Sequence, residues 1–110
     1  MKGYHEYKNC IDACLRCAAI CNHSASSCTQ ENNVQMMARC IEMDMQCATL
    51  CYASAQLMSM GSSVAKDICR ICATICEECA EECGKHETEH CKECAEACRQ
   101  CAEECSRMAA

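Results

Sequence analysis

Between residues 69 and 83 the chain reads CRICATICEECAEEC, with cysteines at steps of three, four, three and four. The same rhythm returns through four stretches: Cys10, Cys14, Cys17, Cys21 and Cys28; Cys40, Cys47 and Cys51; Cys69, Cys72, Cys76, Cys79 and Cys83; Cys91, Cys94, Cys98, Cys101 and Cys105. Steps of three and four keep side chains on one stripe of an α-helix, the a and d positions of a heptad. A β-strand would need period two, which almost none of these positions meets. Ser24, Met43 or Asp44, Ser54 and Met58 fill the beats that cysteine misses.

Three breaks divide the pattern: Asn32–Asn33, the run from Gly61 to Ser63, and the run from Gly84 to His86. Asn and Ser suit helix N-caps, and Gly suits the position just past a helix end. The expectation is one domain spanning 1–110, with helices at about 4–30, 34–59, 63–83 and 87–107. Ala, Glu, Met, Gln, Lys and Arg dominate these segments and favour helix. Four helices with short connections imply an all-α, antiparallel up-down-up-down four-helix bundle with a cysteine-lined core. Ile11, Leu15 and Ala18 on the first segment, and Ile68, Ile71 and Ile75 on the third, form a second apolar stripe expected to pack between helices, with an oligomer surface the alternative. The outer face of the fourth segment, with Glu89, Lys92, Glu93, Glu96, Arg99, Gln100 and Glu103, is expected to be solvated.

With 18 Cys, no Phe, no Trp and three Tyr in 110 residues, the interior is largely sulfur. A net charge of −6 with no basic block argues against nucleic acid. No apolar run reaches the roughly 18 residues of a membrane span. The opening MKGYHEYKNC lacks the apolar core of a secretory signal, so a cytoplasmic location is expected. Disulfides rarely persist there, and pairing along one helix strains their geometry. A secreted disulfide scaffold would also carry loops, proline and irregular spacing, and this chain has no proline.

The chain holds five CxxC and seven CxxxC pairs. Residues so spaced are about 5–6 Å apart at Cβ, so two sulfurs can converge on one ion. Buried thiols could also serve as small hydrophobes, but that account suits one or two positions. Thiolate-rich sites fit Cu(I), Zn(II) and iron–sulfur clusters; the proline-terminated cluster motif is absent. Zinc held by four thiolates leaves two net negative charges per site, and Lys and Arg lie off the cysteine stripe. Cu(I) replacing a thiol proton leaves the charge unchanged, so about one ion per cysteine could fill a low-dielectric channel without mutual repulsion. Neutral thiols also let the metal-free bundle fold. No Ser/His/Asp arrangement, phosphate loop or carboxylate dyad is recognisable, so the reading is non-catalytic. A metallothionein-like Zn(II) or Cd(II) buffer and a thiol redox protein remain the alternatives.

The combination of CxxC and CxxxC spacing along every helix of a chain this size resembles the bacterial copper storage proteins, and the resemblance covers essentially the whole chain. It implies a four-helix bundle that stores many Cu(I) ions through its core thiolates, in copper homeostasis and detoxification. The cysteine count and the opening resemble the cytosolic branch, and the family's habit implies a homotetramer. Copper chaperones or small thiols are the implied exchange partners. Family members take copper in at one end bearing His and Met. Here one end gathers His86, His90, Met36, Met37 and Met43, with His23 a turn or more away, and His90, Met36, Met43 and His86 are the candidate entry ligands. The other end gathers His5, Tyr4, Tyr7, Leu57, Met58, Met60 and Met108, which would plug it. The second segment departs from the pattern, with three cysteines only.

Overall fold

The computed structural model describes residues 3–110. Four helices follow one another: α1 Tyr4–Cys28, α2 Ala38–Ser59, α3 Ala65–Cys83 and α4 Glu89–Ala109. No strand occurs among the described residues. Each helix packs on two neighbours, α1 on α2 and α4, and α3 on α2 and α4. Sulfur contacts fix the directions. Cys10 meets Cys105, Cys21 meets Cys94 and Cys28 meets Cys91, so α1 and α4 run antiparallel. Cys40 meets Cys83, Cys47 meets Cys76 and Cys51 meets Cys72, so α2 and α3 do as well.

Local chemistry sets the ends. Gly61 follows α2 with φ 65°, a left-handed conformation that glycine adopts without strain. It closes α2 with paired bonds, Ser62 N to Leu57 O at 3.0 Å and Gly61 N to Met58 O at 3.0 Å. Thr88 caps α4, its Oγ1 accepting from Cys91 N at 3.4 Å. Gly3 lets the start of α1 lie against the end of α2: a Cβ there would come 2.8 Å from the Ser59 carbonyl oxygen.

The second segment departs from expectation at its start. Val34–Met37 forms a 3₁₀ turn, and the α-helix begins only at Ala38. The tighter winding, about 120° per residue against 100°, changes which methionine faces inward. Met37 is 3% exposed and Met36 is 72% exposed.

The core is a column of Cys walled by Ala18, Ala48, Ala55, Ala73, Ala80, Ala95 and Ala102. Side chains this small let the helices approach closely, and the molecule measures 49 × 20 × 18 Å. The second apolar stripe divides. Ile11 and Ala18 are buried, and Ile75 packs partly buried on the core. Leu15 and Ile71, expected between helices, lie exposed. Leu15 follows Cys14 and Ile71 precedes Cys72, so each points about 100° away from an inward sulfur. With Cys and Ala forming the contact faces, such positions fall outside the bundle. No helix among the described residues is long and apolar enough to cross a membrane.

Candidate metal centre

All 18 cysteines are buried and all are free thiols. Seventeen have no exposed surface, and Cys10 has 4%. Their sulfurs line the bundle as one column, in which the Asp44 carboxyl joins Cys94 to Cys79 and Cys83. From the α1 N-terminal end it runs through Cys10 and Cys14, each within 3.7 Å of Cys105. It continues through Cys101, 3.7 Å from both Cys14 and Cys51. In the middle, Cys17, Cys47 and Cys98 lie within 3.8 Å of one another. Cys21 then reaches Cys94 at 3.6 Å. At the far end Cys40 lies 3.2 Å from Cys83 and 4.0 Å from Cys91, which touches Cys28 at 3.9 Å.

Quartets of sulfur whose atoms all lie within 4.8 Å of one another recur along this chain. Among them are Cys14, Cys51, Cys72 and Cys101; Cys17, Cys21, Cys47 and Cys98; and Cys21, Cys79, Cys94 and Cys98. Each draws on at least three helices, so the bundle, and no single CxxC pair, assembles it. Overlapping quartets share members, and that favours bridging thiolates and clustered ions over isolated sites.

One carboxyl stands among the sulfurs. Asp44 is fully buried. Its Oδ1 accepts from Cys94 at 3.1 Å, Cys83 at 3.2 Å and Cys79 at 3.3 Å, and its Oδ2 faces Cys40 at 3.9 Å. Burial raises its pKa to about 8, and Cys94 adds to the rise. Asp44 is therefore largely an uncharged acid at neutral pH, in keeping with a channel of neutral thiols. Burial likewise pushes the Cys28 and Cys91 thiols up. Cys40 moves the other way, down to about 7, chiefly through the hydrogen bond with Cys83, with the nearby His86 helping. The end near α2's first turn thus holds the carboxyl and a readily ionised thiol side by side.

The histidines of that end face carboxylates. His86 Nε2 lies 3.3 Å from Glu82, and His90 Nε2 lies 3.7 Å from Glu31 and 3.4 Å from Thr88 Oγ1. Both side chains are largely buried, at 17% and 14% exposure. His23 is exposed and lines a surface cleft with His90, Glu89 and Glu93. Met43 is buried in the core. Met36 stands outside, its Sδ 3.8 Å from Asn33 Nδ2, and Met37 takes the inner place.

A model of the copper storage protein family matches residues 4–110. The chain belongs to that family. It is similar to the Cu(I)-bound copper storage protein BsCsp3, with 43% identity, a TM-score of 0.92, and 96% of this chain and 100% of the other covered. Ccsp from Streptomyces lividans, a copper storage protein loaded with 10 copper equivalents, is 38% identical with a TM-score of 0.91, covering 94% of this chain and 83% of the other. An uncharacterized cysteine-rich protein of Bacillus subtilis (strain 168), YhjQ, is 45% identical over 90 residues, 82% of each chain.

In this copper storage fold, periodicity alone places every cysteine inward. Asp44 was within reach of the same signal, since Cys40, Asp44, Cys47 and Cys51 keep steps of four, three and four; its side chain type drew no ligand reading. Glu31 and Glu82, the partners of the histidines, carry no such mark. Glu31 reaches His90 from the loop after the neighbouring α1, a contact no local pattern encodes.

Proposed function

We propose that the chain is a non-catalytic Cu(I) store of the cytoplasm, holding about one ion per cysteine in its sulfur channel. The observation that carries this is the column of buried free thiols, in which neighbouring sulfurs lie 3.2–4.0 Å apart on either side of the Asp44 carboxyl. Such spacing lets one thiolate bridge two ions, and Cu(I) accepts two or three thiolates. Each arriving Cu⁺ displaces one thiol proton, so the low-dielectric interior stays uncharged as it fills. Divalent zinc would leave net negative charge with no cation near: every Lys and Arg ion pair among the described residues is on the surface. The Cu(I)-bound and copper-loaded relatives support the same cargo. A relative described as a cytosolic copper storage protein supports the compartment.

Copper enters at the end holding Cys40, His86 and His90. Cys40, the thiol there that ionises most readily, takes the ion from the histidines, and Asp44 sits one helical turn further in. Met43, buried beside this end, serves as a soft contact on the way, and Met36 on the exposed 3₁₀ turn makes the first encounter. Exposed Leu15, Met45, Tyr52 and Ile71 are available for burial in a homotetramer of the kind the family resemblance implies. Copper chaperones and small thiols are the proposed donors and acceptors.

Anaerobic competition between Cu(I) and Zn(II) tests the cargo. The expected result is a full Cu(I) complement retained in excess Zn(II). Displacement of Cu(I) by Zn(II) would replace this reading with a zinc buffer.

A further inference from the structure

Ser24 and Ser54 lie on the inner faces of α1 and α2 with no exposed surface. Neither Oγ has a hydrogen-bond partner among the described residues. Native interiors pair nearly all such groups, so two orphans in one small core call for a physical reason. Both stand where the rhythm would place a cysteine: Cys21, Ser24 and Cys28 on α1, and Cys47, Cys51 and Ser54 on α2. Three residues before each, Cys21 and Cys51 share its inner face.

A neutral thiol is a poor hydrogen-bond acceptor. A thiolate is a strong one, because the bond becomes charge-assisted. On loading, the S–H bond breaks, a Cu–S bond forms and the proton leaves to solvent; copper keeps its oxidation state. The serine O–H stays intact throughout, since an alkoxide is not accessible near neutral pH. It can only turn toward sulfur.

We propose that Ser24 and Ser54 are positioning residues of the copper channel, whose hydroxyls donate to copper-bound thiolates and so favour the loaded form over the thiol form. This rests on the storage reading above. The unpaired hydroxyls destabilise the metal-free channel and the paired ones retain copper, so removing them should move the two forms in opposite directions. A cysteine in their place would add a ligand but not this donor.

The test uses the full chain, reduced and anaerobic, with Ser24→Ala and Ser54→Ala singly and together. The metal-free double variant should melt at the wild-type temperature or above it. It should take up as many Cu(I) ions as the wild type, because every cysteine remains. A competing Cu(I) chelator should withdraw its ions about tenfold faster, the loss expected for a charge-assisted hydrogen bond. Ser24→Thr and Ser54→Thr, which keep the hydroxyl, should restore retention. Release at the wild-type rate, or equal destabilisation of both forms, overturns the proposal. If the Ala variants do not fold, the Cu(I)-loaded wild-type crystal structure decides. Ser Oγ within hydrogen-bond reach of copper-bound sulfur supports it, and Oγ bonded instead to a backbone carbonyl or water overturns it. A wild-type chain that takes up only a few Cu(I) ions would sink the storage reading itself. A loaded wild type indistinguishable from the Ala variants sinks the serine role alone.

Discussion

Asp44 is the residue at which the chemistry of the channel is most exposed to experiment. A carboxyl among thiols is an unusual choice for a store of a soft ion, and burial resolves it by keeping the group protonated up to about pH 8. The unfolded chain loses the same proton near its ordinary value of 3.8. Between these two values the unfolded state binds fewer protons than the folded one, so stability falls as pH rises through the window. The slope is at most about 1.4 kcal/mol per pH unit. Urea unfolding of the metal-free, reduced protein at pH 5 and pH 7.5 should show the loss, and Asp44→Asn should largely remove it. Parallel curves for the two proteins would mean that Asp44 is not held protonated. The position of Asp44 was legible in the sequence, because it keeps the cysteine rhythm. Its hydrogen bonds were not, since Cys79 and Cys83 come from α3 and Cys94 from α4.

The helices were legible because one strong signal, sulfur every three or four residues, repeats on each of them. Signals fail where that rhythm stops. The stretch Val34–Met37 contains ordinary helix formers, and nothing local distinguishes a 3₁₀ turn from the first turn of a helix. That turn puts Met37 rather than Met36 against the core. Leu15 and Ile71 misled for a related reason: an apolar residue beside a cysteine looks like core until the helix approach is known. The junction of α3 and α4, by contrast, holds His86 and His90 at the end where Cys83 and Cys91 lie, and its role can be separated from storage. Replacing both histidines by Ala should slow Cu(I) uptake severalfold in stopped-flow loading while the final copper content stays that of the wild type. Unchanged kinetics would place the entrance elsewhere, and a lower final content would make the histidines storage ligands rather than a gate.

At the scale of the molecule, the account is one of charge conservation in a preformed tube. Neutral thiols and alanines bury enough apolar surface for the bundle to stand without metal, unlike small zinc domains that fold only on binding. The helical circular dichroism of the reduced, metal-free chain should therefore change little on loading; a coil-to-helix jump would show that metal builds the bundle. The exchange of protons for monovalent copper allows neighbouring ions to sit a bonded sulfur apart without the repulsion that divalent ions would meet in a low dielectric. Both statements converge on a single titration. Cu(I) added anaerobically to the reduced protein, against a strong Cu(I) chelator and in weak buffer, should fill to about one ion per cysteine, releasing about one proton for each ion bound. Saturation at a few ions, or filling without matching proton release, would contradict the neutral sulfur channel.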